Sequence, residues 1–448
     1  MIIHRAMLEK PSVLLALQEK IRTHTAIVGV VGLGYVGLPF AVEKAKVGYR
    51  VLGIEQNPQR AEKVNMADNY ITDIKDEDLK QVVTSGNLQA VLNFDRVAEM
   101  DVIVICVPTP LTKNLTPNLS YIESVTHSIA KRLRPGQLVT LESTTYPGTT
   151  DEVMRPVLEQ TSGLKQGEDF FLAHSPERVD PGNQRYTTKN TNKVVGASDT
   201  HSLEVATLFY QQTIDHVVPV SSAKAAELVK VFENTFRAVN IALVNELALL
   251  CDRIDLNVWE VLDAANTKPF GIMPFYPGPG VGGHCIPIDP HYLEWKAKEV
   301  NFNTHFIALA GEINRSMPLF VREKARRVLN DLGLAPAKSK ILVIGTAYKK
   351  DLGDWRESPS IMVINYLLED KMTVAYHDPF VPEIEVKGQN FTSLPLTDAN
   401  IAAADLVIIA TDHSQVDYVK LVAKAKAVLD TRGITRHLDC LHDKVTLL

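Results

Sequence analysis

Ala26-Ile27-Val28-Gly29-Val30-Val31-Gly32-Leu33-Gly34-Tyr35-Val36-Gly37 is the stretch on which the fold turns. The apolar run to Val31 is strand-like, the pattern from Leu38 to Val47 is helical, and Tyr49 to Ile54 reads as a second strand. Strand, glycine turn, helix and strand make a βαβ unit. The Gly32-x-Gly34-x-x-Gly37 spacing puts glycine where backbone must turn tightly, meet a pyrophosphate closely and let helix pack on strand, with the helix N-terminus facing the anion. Glu55 ends the second strand, where an acid accepts hydrogen bonds from a ribose. A carboxylate there repels a 2′-phosphate, so the expected cofactor is NAD rather than NADP.

Outward from this unit, Val102 to Val107 and Leu138 to Leu141 are further strands with helical stretches between them, giving a doubly wound domain to about residue 210. From Ser222 to about Asp252 runs one long helix, apolar on most of its circumference, as expected of a domain connector or a dimer interface. A Gly/Pro-rich loop, Pro269 to Pro290, leads to helix from His291 to Leu332, and Pro336 to Ser339 reads as a linker. Lys340 to Ile344, Thr373 to His377 and Leu406 to Ala410 then restore α/β alternation. The expected fold class is α/β, with two doubly wound Rossmann-like domains (1–210 and 336–448) joined by a long-helix central domain (211–335). Asp101 and Asp405 each lead an apolar strand, a hint of duplicated architecture.

At 448 residues the chain is too long for one core, and 45% apolar residues supply two or three. A charged fraction of 22% and a net charge of -6 leave no basic excess for nucleic acid or an anionic membrane surface. Cys106, Cys251, Cys285 and Cys440 form neither a disulfide framework nor a zinc-ligand spacing, so no metal is expected. The run Val13 to Leu17 is too short for a signal sequence, and Asn240, Asn245 and Glu246 interrupt the most apolar helix. The expected compartment is a reducing cytoplasm.

Glu227, Lys230, Asn234 and Arg237 recur at helical spacing and so share one polar stripe on the long helix. Such a stripe is either a solvated or salt-bridged face, or a place where Lys230 and Asn234 stabilise a developing oxyanion. The loop Pro277-Gly278-Pro279-Gly280-Val281-Gly282-Gly283-His284-Cys285 is more specific. Its glycines bare the backbone for ligand approach, and Cys285 follows at once, outside any apolar run, with Asp289 four residues on. A thiol so placed suits a nucleophile adding to a carbonyl. A 3-hydroxyacid dehydrogenase would also join such a domain to a helix bearing Lys and Asn, but needs no thiol.

These segments together resemble the UDP-glucose/GDP-mannose dehydrogenase family from about Thr25 to Arg432. The motifs occur in order: Gly32 to Gly37; Val107-Pro108-Thr109-Pro110; Glu142-Ser143-Thr144 with Pro147-Gly148-Thr149; Ser175-Pro176-Glu177-Arg178; Lys230-x-x-x-Asn234; Gly282 to Cys285 with Asp289; and Tyr348 to Asp354 with Arg356. The resemblance implies a cytoplasmic enzyme, dimeric through its central helices, that oxidises the C6 alcohol of a UDP-sugar to the acid with NAD, through a thiohemiacetal and a thioester on Cys285. It implies that Lys230 and Asn234 stabilise oxyanions, Thr144 and Asp289 position water and relay protons, and Glu177 serves as acid/base in hydrolysis. Tyr35, Val36, Arg60, Thr109 and Thr144 would lie near the dinucleotide. Arg178, Lys230, Tyr276, Gly280, Lys349 and Arg432 would meet the substrate, while Arg356 has no assigned partner. Arg178-Val179-Asp180-Pro181 and His284 depart from the UDP-glucose branch. With Thr267 to Phe270 and Pro274 to Gly280 they are similar to the branch acting on UDP-N-acetylhexosamines, with UDP-N-acetylglucosamine the favoured substrate over UDP-N-acetylmannosamine.

Overall fold

The computed structural model describes residues 11–71, 73–112, 114–178, 185–283, 285–438 and 442–448. The chain divides into two compact units, Met1–Glu233 and Asn234–Leu448, with the division falling inside the long helix. The first unit is built on eight strands: β1 (Ile27–Val31), β2 (Arg50–Ile54), β3 (Leu88–Val91), β4 (Val102–Ile105), β5 (Leu138–Leu141), β6 (Phe171–His174), β7 (Lys193–Gly196) and β8 (Val217–Val220). Their order is β3-β2-β1-β4-β5-β6-β7-β8. Every pairing is parallel except β6 with β7, which meet antiparallel at His174 and Gly196. All four residues of β4, β5 and β6 are buried, as a parallel sheet covered on both faces demands. The order of the first six strands is the doubly wound one whose ligand crevice opens at the carboxyl ends beside β1 and β4.

In the second unit β9 (Lys340–Ile344), β10 (Thr373–His377), β13 (Leu406–Ile409), β14 (Val428–Asp430) and β15 (Val445–Leu447) form a parallel sheet in the order β10-β9-β13-β14-β15. A small hairpin, β11 (Glu383–Val386) with β12 (Gln389–Thr392), stands apart from it. The helix expected from His291 to Leu332 is two, Asp289–Glu299 and His305–Asp331, because Asn301 takes a positive φ and ends the first. The long helix spans Ala223–Arg253 as expected.

The two sheets repeat one another at the level of single hydrogen bonds. Asp101 leads β4 and accepts from Ile27 N at 2.9 Å, while Asp405 leads β13 and accepts from Lys340 N at 2.9 Å. Gly32 after β1 and Gly345 after β9 both have positive φ, and a Cβ on either would lie 2.5 Å from a carbonyl oxygen, of Cys106 or Thr411. The likeness read from two Asp-led strands is therefore a shared register.

Candidate functional site

The glycine turn of the first unit divides its labour as the spacing requires. Gly32 sits at φ +91°, and a Cβ on Gly37 would come 1.9 Å from Gly32 O, so these two glycines let turn and helix close up. Gly34 is different: a Cβ there would meet nothing within 4 Å. Packing does not explain that glycine, and the open space beside it, at the head of the helix Gly37–Lys46, suits backbone approach by a diphosphate. Tyr35 is exposed and Val36 half-buried on the same turn. Glu55 follows β2 as expected, and its carboxylate accepts from Leu33 N at 3.2 Å and Asn57 N at 2.9 Å. It is thus locked at the crevice with lone pairs left for a ligand. Asn57 caps the helix Pro58–Asn65, whose Arg60 is exposed. Thr109 is half-buried in the segment that follows β4. The set fits a dinucleotide.

Beyond β5 and β6 the same unit carries an ionic cluster. Lys193 Nζ, at the start of β7, lies 2.8 Å from buried Glu142 and 3.6 Å from Glu177. Tyr210 donates to Glu142 at 2.8 Å. Burial opposes the charge on Lys193, but Glu142 and Glu177 hold its pKa above the ordinary lysine value. Thr144 is half-buried just past Glu142. Arg178 donates two bonds to Glu233, at 3.3 and 2.5 Å, and a third to Asn192 O at 2.7 Å.

On the long helix the polar stripe holds for three of its four members. Glu227, Lys230 and Asn234 are buried, whereas Arg237 is exposed. Glu227 accepts from Gly148 N, Thr150 N and Thr150 Oγ1, so it pins the Pro147-Gly148-Thr149 turn to the helix. Burial comes first among the influences on its carboxyl and, against those donors, raises its pKa to about 7.

In the second unit Cys285 is exposed at the end of the glycine loop. Its carbonyl accepts from Ile288 N and Asp289 N at 3.1 and 2.8 Å, closing the turn into the helix Asp289–Glu299. Asp289, 2% exposed, receives Asn234 Nδ2 at 2.5 Å, so Asn234 and the turn after Cys285 are joined. Cys251 is buried. Cys106 lies near buried Glu142, and burial, with that carboxylate, pushes its thiol well above the ordinary range. Among the described residues Cys285 is therefore the thiol fit to react.

Of the residues expected to hold substrate, Tyr276, Gly280, Lys349 and Arg432 belong to this second unit. Gly278 N donates to Asn245 at 3.1 Å, and a Cβ on Gly278 would come 2.7 Å from the Arg432 guanidinium. Arg432 also reaches Asp412 at 3.3 Å. Tyr276 stacks on Trp259 with ring centroids 5.8 Å apart and donates to Asp263 at 3.0 Å, with Arg436 over both rings. Gly280 has φ +131° and packs on Pro359 and Asn314. Lys349 is half-buried in the segment after β9. Arg356, which had no partner from sequence, makes a two-pronged bond to Asp354, at 2.9 and 2.7 Å.

Val179, Asp180, Pro181, His284 and Cys440 lie outside the described residues. Sequence reasoning passed over Lys193, which looks like the first residue of an apolar strand, and the buried pair Asp378 and His413, 35 positions apart. Neither had a local signal beyond an acid after one strand and a histidine after another.

Three family models match in chain order: the UDP-glucose/GDP-mannose dehydrogenase family NAD binding domain over residues 26–214, its central domain over 224–316 and its UDP binding domain over 342–437. A UDP-N-acetyl-D-mannosamine dehydrogenase of Pyrococcus horikoshii is 35% identical over 415 residues, covering 91% of this chain and 96% of its own. A UDP-N-acetyl-D-glucosamine 6-dehydrogenase of Pseudomonas aeruginosa is 34% identical over 408 residues, covering 90% and 95%. A solved UDP-N-acetyl-D-mannosamine dehydrogenase from Pyrococcus horikoshii superposes with a TM-score of 0.83 at 33% identity, over 91% of this chain and 95% of that one. A UDP-glucose dehydrogenase from Pyrobaculum islandicum gives 0.82 at 27% identity, over 94% and 96%.

Proposed function

The chain belongs to the UDP-glucose/GDP-mannose dehydrogenase family, whose members are NAD-dependent oxidoreductases, and from that membership we propose that it oxidises the C6 alcohol of UDP-N-acetylglucosamine to the uronic acid. The observation that carries the four-electron reading is the exposed Cys285 on a turn joined to Asn234 through Asp289. The residues to about 210 hold the dinucleotide, 211–335 carry the thiol, and 336–448 hold the UDP group.

Gly32, Gly34 and Gly37, with Glu55 toward the ribose and Tyr35, Val36, Arg60, Thr109 and Thr144 nearby, would hold NAD, which when bound would supply the hydride acceptor for each oxidation. Loss of a hydride from C6 and a proton from its hydroxyl gives the aldehyde. The Cys285 thiolate adds to that carbonyl, forming a C–S bond and an alkoxide that Lys230 and Asn234 stabilise. The thiohemiacetal loses a second hydride to become a thioester. Water, positioned by Thr144 and Asp289 with Glu177 taking its proton, breaks the C–S bond and releases carboxylate and thiolate. Arg178, Tyr276, Gly280, Lys349 and Arg432 hold the UDP-sugar.

The acetamido specificity rests on the motif likeness around Arg178 and Thr267 to Gly280. A second reading, UDP-N-acetylmannosamine, is favoured by the name of the 35% identical relative. We read the protein as cytoplasmic and as a homodimer. Among the described residues no helix is long and apolar enough to cross a membrane. On the long helix Leu228, Phe232, Leu243 and Leu250 are 41%, 61%, 62% and 51% exposed at spacings that share one face, an apolar stripe that a second copy would cover.

The test is product analysis with NAD and each of UDP-N-acetylglucosamine, UDP-N-acetylmannosamine and UDP-glucose. The expected result is about two NADH per UDP-N-acetylglucosamine with the uronic acid as end product, since the thiol exists to hold the aldehyde for a second hydride loss. One NADH and free aldehyde would overturn the mechanism, and a higher kcat/KM for either other sugar would overturn the specificity.

A further inference from the structure

The segment after β9 is tied down at both ends. At its start Thr346 N and Ala347 N donate to Asp378 Oδ2, at 2.7 and 2.9 Å, and His413 Nε2 lies 3.1 Å from the same oxygen. At its end Asp351 N donates to His413 Nδ1 at 3.0 Å, while Asp351 accepts from Ser414 N and Oγ at 2.7 and 2.6 Å. Because Nδ1 accepts, the ring proton sits on Nε2 and is given to Asp378. Both side chains are fully buried, so the bonds are shielded from competing water. Asp378 follows β10 as Glu55 follows β2, and caps the turn after β9 as Glu55 caps the turn after β1. In the second sheet, however, the imidazole covers the acid, and the pair serves the turn itself.

Between the two ties stand Tyr348 and Lys349. Tyr348 N donates to Asp354 O at 3.0 Å, closing the segment on itself. Its ring lies against the cysteine loop: a Cβ on Gly283 would come 2.8 Å from Tyr348 Cε2, and one on Gly282 would come 2.8 Å from Tyr348 Cβ. Gly283 has φ +89° and stands two residues before Cys285. The other side of Cys285 is fixed by the bonds from Ile288 N and Asp289 N. A loop of glycines has little stiffness of its own, so a rigid wall on one side is what confines it.

We infer that Tyr348 is the positioning residue of the Cys285 loop, set in place by the Asp378–His413 pair, so that the segment beside the nucleotide also places the nucleophile. The contact with the loop is made by the ring and the Cβ of Tyr348. The inference rests on Cys285 as nucleophile for its consequence in turnover, but not for its consequence in backbone mobility.

The experiment uses the full chain and UDP as the probe, with hydrogen exchange read by mass spectrometry and acid formation read separately. In Tyr348→Ala, amides of 280–288 should exchange about tenfold faster, a local opening confined to that loop. Slowing of that exchange by UDP, expected in the unmutated protein, should be lost although UDP still binds. Acid formation should fall by as much as about a hundredfold, the order expected when a reacting group is displaced by about an ångström, with KM for NAD unchanged. Tyr348→Phe should restore exchange, UDP protection and turnover. Where Tyr348→Ala does not fold, Tyr348→Leu carries the test in the same direction. Exchange at 280–288 like that of the unmutated protein in the Ala or Leu variant, or faster exchange spread evenly over the second unit, overturns the inference. Unchanged acid yields from Cys285→Ala would instead remove the nucleophile and leave the exchange result standing.

Discussion

Glu227 is the place where electrostatics and architecture can be tested against one another. It is 1% exposed, and its carboxyl is raised from 4.5 to about 7 by burial, despite donors from Gly148 N, Thr150 N and Thr150 Oγ1. In an unfolded chain the group titrates near its ordinary value, so between those two pH values the folded form binds more protons. Its contribution is fully present below about 4.5 and is lost as pH rises through about 7, amounting to about 3 kcal/mol from the interval between the two values. Glu227→Gln mimics the neutral acid and cannot ionise. The variant should therefore gain on the unmutated protein by about 3 kcal/mol between pH 4.5 and 7.5, after a pH-independent cost of about 1–3 kcal/mol if its amide faces the Gly148 N–H. Trp259, Trp295 and Trp355 all lie in the second unit, so fluorescence does not report the event. The assay is hydrogen exchange in β5 and in 145–150, with the chemical exchange rate divided out at each pH. A difference between the two proteins that stays constant across the interval would refute the reasoning and show that the three donors keep Glu227 ionised.

Glu55→Ala should erode the preference for NAD over NADP, read as the ratio of kcat/KM values; equal use of both by the unmutated protein would remove Glu55 from the ribose. Lys230→Ala should slow turnover by about a hundred- to a thousand-fold, as loss of one preorganised oxyanion donor does. Cys285→Ala should bind UDP-sugar and NAD and make no acid, with calorimetry checking the binding. Asp378 holds the opposite linkage to Glu227: burial would raise its carboxyl, but the bonds from His413, Ala347 and Thr346 bring it to about 2. Its stabilisation is present above the ordinary value of 3.8 and is lost as pH falls through about 2, so Asp378→Asn should flatten the acid limb of second-unit unfolding followed by tryptophan fluorescence. Leu243→Glu should convert a dimer to monomers in sedimentation; a monomeric unmutated protein would rule out the apolar stripe as an interface.

The sequence by itself determined the βαβ opening, the three strands of the second sheet named above and the long helix, because each is announced by local periodicity and by glycines with one backbone task. It also singled out Cys285, since a cysteine among glycines has no packing reason to be there. What it missed depends on side chains brought together from afar. The break between Glu299 and His305 follows from one positive φ at Asn301, which no apolar pattern records. Arg237 left the polar stripe because helical spacing fixes a direction within about a turn but not which neighbour covers it. Lys193 joins Glu142 and Glu177 across three strands, and His413 joins Asp378 and Asp351 across three strand ends. A buried charge or imidazole is tolerated only where partners converge on it, and the tertiary fold alone decides where that happens.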